Sequence, residues 1–409
     1  MGNSIEKHFD ICIIGGGAAG LVASIVAARR NPSFSVAIIE KMDEPGKKVA
    51  AAGNGRCNLS NLEAEGWEEV SAFFSSIGLI TRADNEGRVY PHSEDGRDVV
   101  RCLVNEATRL GVEILTRRYV EEITKEADDF VLTALFNRPK AYHSKEEDGP
   151  MTIHAKQVLV ATGGKSKPKL GTTGDGFTLA KKLGHSVNTL IPVLTGVETS
   201  EDIKGLGLSG IREKCNVSLF KDDALIYNES GEMQFTDYGV SGIVIFDMTR
   251  FMNLENGDKS GFKNYRIEID FLPEITEEVL VMMIKERMDA EAGGEITPNL
   301  ICSWVKKAIA EEIVKRNLSS KKADEDIAKT LKHFTLYPTN LKGWDMAQVT
   351  RGGIPVSEID DETGESNVVK GLFFAGEIID RDYRCGGFNL QHAWSTGIKA
   401  GNGMGGRLE

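Results

Sequence analysis

Three glycines and one acidic residue near the start of the chain have the spacing of a dinucleotide-binding turn. Residues 15–20 read Gly-Gly-Gly-Ala-Ala-Gly and contain the pattern G-x-G-x-x-G. In this pattern Gly15 permits a tight turn, Gly17 lets the backbone approach a pyrophosphate, and Gly20 lets a helix and a strand pack closely. Glu40 follows Gly20 by twenty residues, which is where an acid accepts a hydrogen bond from a ribose hydroxyl.

The residues around this turn predict the strand–helix–strand unit that the chemistry needs. The apolar run 9–14 predicts a buried strand, residues 18–30 predict a helix, and residues 35–40 predict a second strand. The N-terminus of such a helix presents free N–H groups to phosphates. The same glycine pattern recurs at 205–210 and 401–406, but without this context, so we interpret those two matches as unrelated to nucleotide binding.

A glycine-rich segment with three cations follows the second strand. It covers residues 45–58 and contains Lys47, Lys48 and Arg56. Backbone N–H groups beside a fixed guanidinium suit a diphosphate, and a flexible surface loop is the alternative. A reactive thiol at Cys57 is possible, but a small buried residue is favoured because no histidine or acid lies close to it in sequence.

Two more strands run into glycine turns. Residues 157–164 predict the first, and residues 371–380 predict the second, which ends in Gly-Glu and then an acid. Residues 386–401 then open with Gly-Gly and predict a helix of small residues. A helix N-terminus aimed at the C2 carbonyl and N1 of a flavin would stabilise the anionic reduced ring. A helix used only for packing is the alternative, which the N-terminal glycine turn disfavours.

Composition excludes several classes of protein. The net charge of −12, from 49 basic and 61 acidic residues, disfavours nucleic-acid binding and suits a small-molecule ligand. No apolar run approaches the roughly 18 residues of a membrane-spanning helix, and the first ten residues lack the apolar stretch of a signal peptide. The six cysteines are far apart, which argues against a disulfide framework or a zinc site. We therefore expect a cytoplasmic protein with no membrane contact and no metal.

Taken together, the motifs resemble those of the two-dinucleotide-binding-domain flavoproteins. More narrowly, they resemble the bacterial NAD(P)/FAD-dependent oxidoreductase family that includes BaiN-type proteins and aminoacetone oxidase. The resemblance spans nearly the whole chain and is carried, in order, by residues 15–20 with Glu40, 53–58, 87–91, 161–164 with 174–176, 350–353, and 376–391.

The resemblance implies FAD bound in an extended form. Glu40 would hold the adenosine ribose, Asp380 would meet the ribityl–diphosphate region, and residues 387–391 would meet the isoalloxazine. The residues expected to bind FAD are Gly15, Gly17, Ala18, Ala19, Gly20, Glu40, Lys41, Lys48, Gly55, Arg56, Cys57, Asn58, Val120, Ala161, Thr162, Gly163, Gly376, Glu377, Asp380, Gly387, Phe388, Asn389, Leu390 and Gln391. Relatives tend to have a small or acidic residue after the final acid, whereas the loop 381–385 of this chain is bulky and charged. The identity of the substrate therefore cannot be inferred from these relatives.

The spacing of these motifs predicts an α/β fold with a Rossmann-like FAD-binding domain that is discontinuous in sequence. This domain would consist of residues 1–190 and 346–409. Alternating apolar runs predict an inserted antiparallel β domain of residues 191–274 plus 335–345. Apolar residues at three- and four-residue spacing predict a small helical subdomain over 275–334, with one of its helices over 300–316.

The predicted function is that of an FAD-dependent oxidoreductase which passes hydride between a small organic substrate or NAD(P)H and the flavin N5. A reductase acting on an activated double bond or ketone and an oxidase acting on a small amine with oxygen both fit. No second nucleotide fingerprint is present, so any NAD(P)H would be a transient electron donor.

A tRNA-associated flavoprotein and a non-catalytic flavin-binding protein are alternatives of other classes. The catalytic acid or base, the oligomeric state and any covalent flavin link stay open; the nearby candidates are Arg351, Tyr383, Arg384 and His392.

Overall fold

The computed structural model describes residues 5–137, 149–252, 259–290 and 296–406. The chain forms two compact units, of which the first comprises Met1–Ile191 with Val349–Glu409 and the second comprises Pro192–Gln348. The first unit is α/β with a mainly parallel sheet, and the second contains an antiparallel sheet and helices. The predicted fold class is therefore confirmed, whereas the exact domain boundaries stay predictions.

The strands are β1 (Ile5–Ile14), β2 (Val36–Ile39), β3 (Ser60–Asn61), β4 (Thr81–Ala83), β5 (Arg88–Pro91), β6 (Glu113–Leu115), β7 (Arg118–Glu126), β8 (Asp129–Phe136), β9 (Met151–Val160), β10 (Ile191–Val193), β11 (Val197–Thr199), β12 (Arg212–Lys221), β13 (Ala224–Thr236), β14 (Gly239–Ser241), β15 (Tyr265–Asp270), β16 (Phe334–Leu336), β17 (Pro338–Leu341), β18 (Val349–Arg351) and β19 (Leu372–Phe374). The helices are α1 (Ala18–Arg30), α2 (Lys47–Ala51), α3 (Trp67–Ser76), α4 (Gly96–Arg109), α5 (Asp175–Lys182), α6 (Ile243–Thr249), α7 (Glu277–Ala290), α8 (Lys307–Asn317), α9 (Ala323–Lys332) and α10 (Phe388–Gly405). No helix within the described ranges is long and apolar enough to cross a membrane.

The large sheet of the first unit is built around β1. Its strand order is β6-β2-β1-β9-β8-β7, and β19 pairs with the second half of β9. The pairs of β1 with β2 and with β9 are parallel, as are β2 with β6 and β19 with β9. All four residues of β2 and the last four of β1 are buried, because a parallel sheet is covered on both faces.

The first and last helices of this unit lie against each other at a stripe of small residues. A Cβ added at Gly397 of α10 would lie 2.6 Å from the carbonyl oxygen of Ala19, and one at Gly401 would lie 2.7 Å from that of Ala23. Larger side chains at these positions would force α10 away from α1. The second G-x-G-x-x-G match, at 401–406, therefore contributes to helix packing.

Trp394 fixes the same helix to the segment that precedes β3. Its ring is fully buried and packs edge-on against Phe74, with 5.3 Å between the ring centroids. Its indole N–H donates a hydrogen bond to the carbonyl of Leu59 at 2.9 Å. The side chain thus fills the core and satisfies a buried carbonyl, which orients the first turn of α10.

The second unit contains an antiparallel sheet in the order β16-β15-β12-β13-β14-β11-β17. Helices α7, α8 and α9 follow in sequence, and α7 packs against α9. The single helix predicted over 300–316 is wrong at its start, since α8 begins only at Lys307. A 3₁₀ turn occupies Pro298–Ile301, and Ser303 has a φ of 71°, which is left-handed backbone that ends any helical run.

Candidate functional site

The glycine turn after β1 is shaped by two close backbone contacts. Gly15 has a φ of 104°, and a Cβ there would lie 2.5 Å from the carbonyl oxygen of Ala161. A Cβ on Gly20 would lie 2.0 Å from the carbonyl oxygen of Gly15. Both positions therefore require glycine for the fold itself.

Gly17 differs from these two glycines. Its φ is −83°, which any residue adopts, and no described atom lies within 4 Å of the Cβ that would be added there. The fold gives no reason for glycine at this position. The space in front of Gly17 is open, and it lies at the start of α1.

The first turn of α1 is suited to an anion. Gly17 is its N-cap residue, and no side chain in the described structure caps the helix or places an acid in its first turn. The N–H groups of Ala18 and Ala19 cannot find partners inside the helix. A phosphate would satisfy them and would gain from the helix dipole.

Glu40 closes one side of this turn. Its carboxylate accepts hydrogen bonds from the N–H groups of Gly16 at 2.8 Å and of Met42 at 2.7 Å. Burial raises the pKa of the Glu40 carboxyl, while these two N–H groups act in the opposite direction. Each carboxylate oxygen keeps a further lone pair with which it can accept from a ligand hydroxyl.

Lys41 and Val120 lie beside Glu40 in different ways. Lys41 forms an ion pair with Asp175 and so connects β2 to the predicted 174–176 motif. Val120 is buried in β7, two residues after Arg118, whose N–H donates to the Glu40 carbonyl at 3.0 Å. The structure thus brings Glu40, Lys41 and Val120 into one neighbourhood.

The second glycine-rich segment has unusual backbone geometry. Asn54 and Cys57 both have a φ of 57°, and Gly55 between them has a φ of 88°. Cys57 is fully buried, and burial raises the pKa of its thiol to about 12, so the side chain is not a reactive thiolate.

No described atom lies within 4 Å of a Cβ added at Gly55. The Arg56 guanidinium lies 4.9 Å from the centre of the Tyr90 ring.

Lys48 and Glu377 form an ion pair across 329 positions of sequence, with 2.5 Å between Nζ and Oε2. The other oxygen of Glu377 accepts from the N–H of Thr350 at 2.8 Å and from the hydroxyl of Ser166 at 3.0 Å. This network holds the turn after β9, with Ala161, Thr162 and Gly163, against the turn after β19. Lys48 is therefore neutralised by a carboxylate.

Asp380 and Gly376 are also held by the protein. Asp380 accepts from the Asn188 side chain at 2.6 Å and from the N–H of Gly352 at 3.0 Å. Gly376 has a φ of 80°, and its N–H donates to the hydroxyl of Thr396 at 2.9 Å. Asp380 keeps free lone pairs, but its orientation is set by these two donors.

The N-terminus of α10 is formed at Gly387. Its φ is 100°, and a Cβ there would lie 2.3 Å from the carbonyl oxygen of Ser60, so only glycine fits. The N–H groups of Phe388 and Leu390 fall in the first turn and cannot bond within the helix.

The two amide side chains of this helix turn towards the protein. Asn389 accepts from the N–H of Tyr383 and donates to its carbonyl, both at 2.9 Å. Gln391 accepts from the hydroxyl of Ser60 at 2.7 Å and donates to the carbonyl of Glu65 at 3.0 Å. These side chains position the helix and its loop, which leaves the backbone N–H groups as the donors available to a flavin.

The residues present fit FAD. Within the described part of the chain, Asn58 Oδ1, Thr162 Oγ1 and His392 Nε2 are buried polar atoms without a hydrogen-bond partner. Such atoms are rare in folded proteins unless a ligand or water bonds them. Together with the open space at Gly17 and Gly55, they suit a long, polar ligand that runs from Glu40 to α10. The individual contacts stay predictions.

Titratable groups near the start of α10 are strongly affected by burial. Burial lowers the pKa of His392 to about 4, and the charge of Arg381 acts in the same direction. Burial raises the pKa of the Tyr383 hydroxyl, partly offset by Arg381. The two rings are neighbours, with 5.3 Å between their centroids. At neutral pH this pair therefore consists of a neutral imidazole and a protonated phenol.

Ion pairs hold the charged loop 381–385. Arg384 pairs with Glu63 at 2.7 Å, and its guanidinium lies 4.5 Å from the centre of the Phe388 ring. Arg351 lies 3.4 Å from the carboxylate of Asp382. The ion pair of Arg384 with Glu63 could not be predicted from the sequence, because the two residues are 321 positions apart.

The fold and this site define a flavoprotein with a Rossmann-type FAD-binding domain. The model of the HI0933-like protein Rossmann domain matches residues 9–70 and 66–403, so the chain belongs to this family. The 3-dehydro-bile acid delta(4,6)-reductase of Clostridium scindens is 32% identical over 96% of this chain and 98% of its own length. The ribosomal RNA dihydrouridine synthase of Haemophilus influenzae is 27% identical over 96% of this chain and 97% of its own length.

A solved structure shows the same fold. The 3-ketosteroid-delta4-(5alpha)-dehydrogenase of Rhodococcus jostii superposes with a TM-score of 0.50 and 17% identity, covering 100% of this chain and 99% of that one. The predicted family resemblance is confirmed, and the chain is an FAD-dependent oxidoreductase.

Gly17→Ala is expected to fold normally and to bind FAD weakly. The new methyl group has room in the protein but fills the space in front of the α1 N-terminus. Loss of one hydrogen bond to a charged group corresponds to an affinity about 10- to 100-fold lower. FAD dissociation is measured by flavin fluorescence. Gly343→Ala, in the second unit, is the matched control, because its Cβ also meets no described atom within 4 Å. Equal FAD affinity in the two variants would contradict the assignment of Gly17.

Neutral His392 makes the stability of the first unit depend on pH. Its folded pKa of about 4 is below the ordinary value of about 6.5, so its contribution is complete above about 6.5 and is lost as pH falls towards 4. Over that window the free energy of unfolding of the wild type should fall, relative to His392→Gln, by up to about 1.4 kcal/mol per pH unit. Urea unfolding of both proteins without FAD measures this, and the same comparison with FAD shows whether the flavin bonds Nε2. Parallel pH profiles would show that His392 is not buried as a neutral group.

Proposed function

We propose that this protein uses FAD to reduce a carbon–carbon double bond conjugated to a carbonyl group, with NAD(P)H as a transient electron donor. The observation that carries the proposal is the 32% identity with the Clostridium scindens reductase over nearly the whole of both chains. The name of that relative describes a 3-oxo compound with double bonds at positions 4 and 6, which is a conjugated enone. A small molecule with this chemistry is the proposed substrate class.

The reaction balances as the addition of one hydride and one proton. NAD(P)H supplies the electron pair and becomes NAD(P)⁺. FAD, when bound, accepts this pair and supplies hydride from N5 to the β carbon of the double bond. A proton then joins the α carbon, and the product is the saturated ketone. The protein must hold the substrate carbonyl, supply the proton and exclude water from the site.

Tyr383 is the proposed proton donor. Tyr383 is a half-buried residue near the N-terminus of α10, and burial raises the pKa of its hydroxyl, which therefore stays protonated at neutral pH. Burial lowers the pKa of the neighbouring His392 to about 4, so its imidazole is too weak a base to take this proton. Asn389 fixes the backbone of Tyr383 through two hydrogen bonds, which keeps the phenol in place.

A second candidate is the reduction of uridine in RNA. The Haemophilus influenzae relative is named for that activity and matches almost the whole chain. The uracil C5–C6 double bond is also conjugated to a carbonyl, so the chemical step would be the same. The net charge of −12 favours the small molecule, because RNA binding relies on cations that neutralise phosphates.

The test is anaerobic spectroscopy of the purified protein. NADPH or NADH is expected to bleach the two-peaked flavin spectrum, and a 4-ene-3-oxo steroid is expected to restore it while gaining two hydrogens by mass. The saturated 3-oxo steroid is the matched control and should leave the flavin reduced. Reoxidation by unmodified ribosomal RNA alone would establish the second candidate. A flavin that only small amines reduce and only oxygen reoxidises would overturn the proposal in favour of an amine oxidase.

Tyr383→Phe is expected to slow reoxidation by the enone by about 10²- to 10⁴-fold, because the proton donor is lost. Reduction by NAD(P)H should change much less, since no proton from Tyr383 enters that step. Stopped-flow absorbance separates the two half-reactions. Tyr337→Phe, an exposed tyrosine of the second unit, is the control. Unchanged reoxidation in Tyr383→Phe would exclude this residue as the donor.

A further inference from the structure

Two histidines and a glutamate meet on one face of the large sheet, where the first half of β1 lies beside the first half of β9. β1 and β9 run parallel, and their register places His8 directly opposite His154. Glu6 precedes His8 by two residues, so both side chains leave β1 on the same face. Ile153 and Ala155, on either side of His154, point into the core and fix the orientation of β9 there.

The atoms of these side chains converge. The two imidazole rings are stacked, with 4.6 Å between centroids and 12° between planes. Nε2 of His154 lies 3.2 Å and Nε2 of His8 lies 3.5 Å from the same oxygen of Glu6. All three ligand atoms lie within 4.8 Å of one another.

These separations suit a transition metal. Zinc binds histidine nitrogen and carboxylate oxygen at about 2.0–2.1 Å, so two ligands of a tetrahedral ion are about 3.3 Å apart. The two nitrogen–oxygen distances already have this value. Because the lone pair of each Nε2 lies in its ring plane, the stacked rings must rotate about their χ2 bonds for both nitrogens to meet one ion. Glu6 and His8 are exposed enough for water to complete its coordination.

We propose that Glu6, His8 and His154 bind one divalent transition metal ion of the Zn²⁺, Ni²⁺ or Cu²⁺ class. Imidazole with carboxylate favours these ions over Mg²⁺ or Ca²⁺, which prefer oxygen ligands alone. The ion would join the start of β1 to β9. The site is remote from the glycine turn, because Gly15 follows His8 by seven positions along an extended strand, or about 23 Å. Its role is therefore structural and does not depend on the flavin reaction.

The sequence alone predicted no metal, because that prediction was based on the spacing of cysteines. The histidines are 146 residues apart, and neither is in a recognisable ligand motif. Only the register of two parallel strands brings them together.

The test is a metal titration of the untagged, FAD-loaded protein. Zn²⁺ is expected to bind with one equivalent and to raise the melting temperature, because an ion that binds only the folded state stabilises it. Co²⁺ serves as a spectroscopic probe of the ligand type. His8→Gln and His154→Gln should each weaken binding on the order of 100-fold, because even the loss of a group that hydrogen-bonds a metal ligand costs about 10- to 100-fold in affinity. His92→Gln, which removes an exposed loop histidine, should leave binding unchanged.

Retention of the flavin spectrum shows that each variant is folded. Binding of equal affinity in His8→Gln, His154→Gln and the wild type would overturn the proposal. A Co²⁺ spectrum with thiolate charge-transfer bands would also overturn it, by assigning the ion to a cysteine such as the exposed Cys302. Failure of the wild type to bind either Zn²⁺ or Co²⁺ would do the same.

Discussion

The close approach of the glycine turn after β1 to the backbone after β9 determines the layout of the first unit. The space at Gly15 is limited by the carbonyl of Ala161, and that at Gly20 by the carbonyl of Gly15. Because β1 lies between two parallel neighbours, this contact aligns the carboxyl ends of β2, β1, β9 and β19 at one edge of the sheet. Residues from four distant parts of the chain thereby reach one edge of the sheet, which is where ligands bind in doubly wound folds.

Cofactor binding and fold stability are coupled through the polar atoms that the protein leaves without partners. A buried polar atom without a hydrogen bond costs about 1–3 kcal/mol. Asn58 Oδ1 and Thr162 Oγ1 both lie in segments where a flavin nucleotide would run. A ligand that forms hydrogen bonds with these two atoms removes this free-energy cost, and its own affinity for the protein is higher as a result. By contrast, Glu377 and Gln391 already form hydrogen bonds within the protein, to Thr350 and Ser60, and mainly hold the backbone of the candidate site in place.

Local patterns in the sequence predicted the elements that local physics determines. The helix over 18–30 has those observed bounds, because a glycine N-cap and the Asn31-Pro32 stop are both encoded nearby. The apolar run 9–14 predicted the buried part of β1, and residues 35–40 predicted β2. Long-range pairings left no such signal, so the ion pair of Lys48 with Glu377 could not be predicted. The expected place of Lys48 beside a diphosphate stays a prediction. The early start predicted for α8 was wrong because apolar spacing does not report a left-handed residue such as Ser303.

The packing of α10 on α1 has a consequence for biosynthesis. Phe388 follows Arg30 by 358 residues, yet the stripe of Gly397 and Gly401 lies directly on Ala19 and Ala23. A ribosome that adds about 5–20 residues per second needs roughly 20–70 s to make the intervening chain. During that time the small-residue face of α1 lacks the helix that covers it, and the N-terminus of α10 is missing from the candidate site. The candidate site is therefore complete only once the last helix has been synthesised.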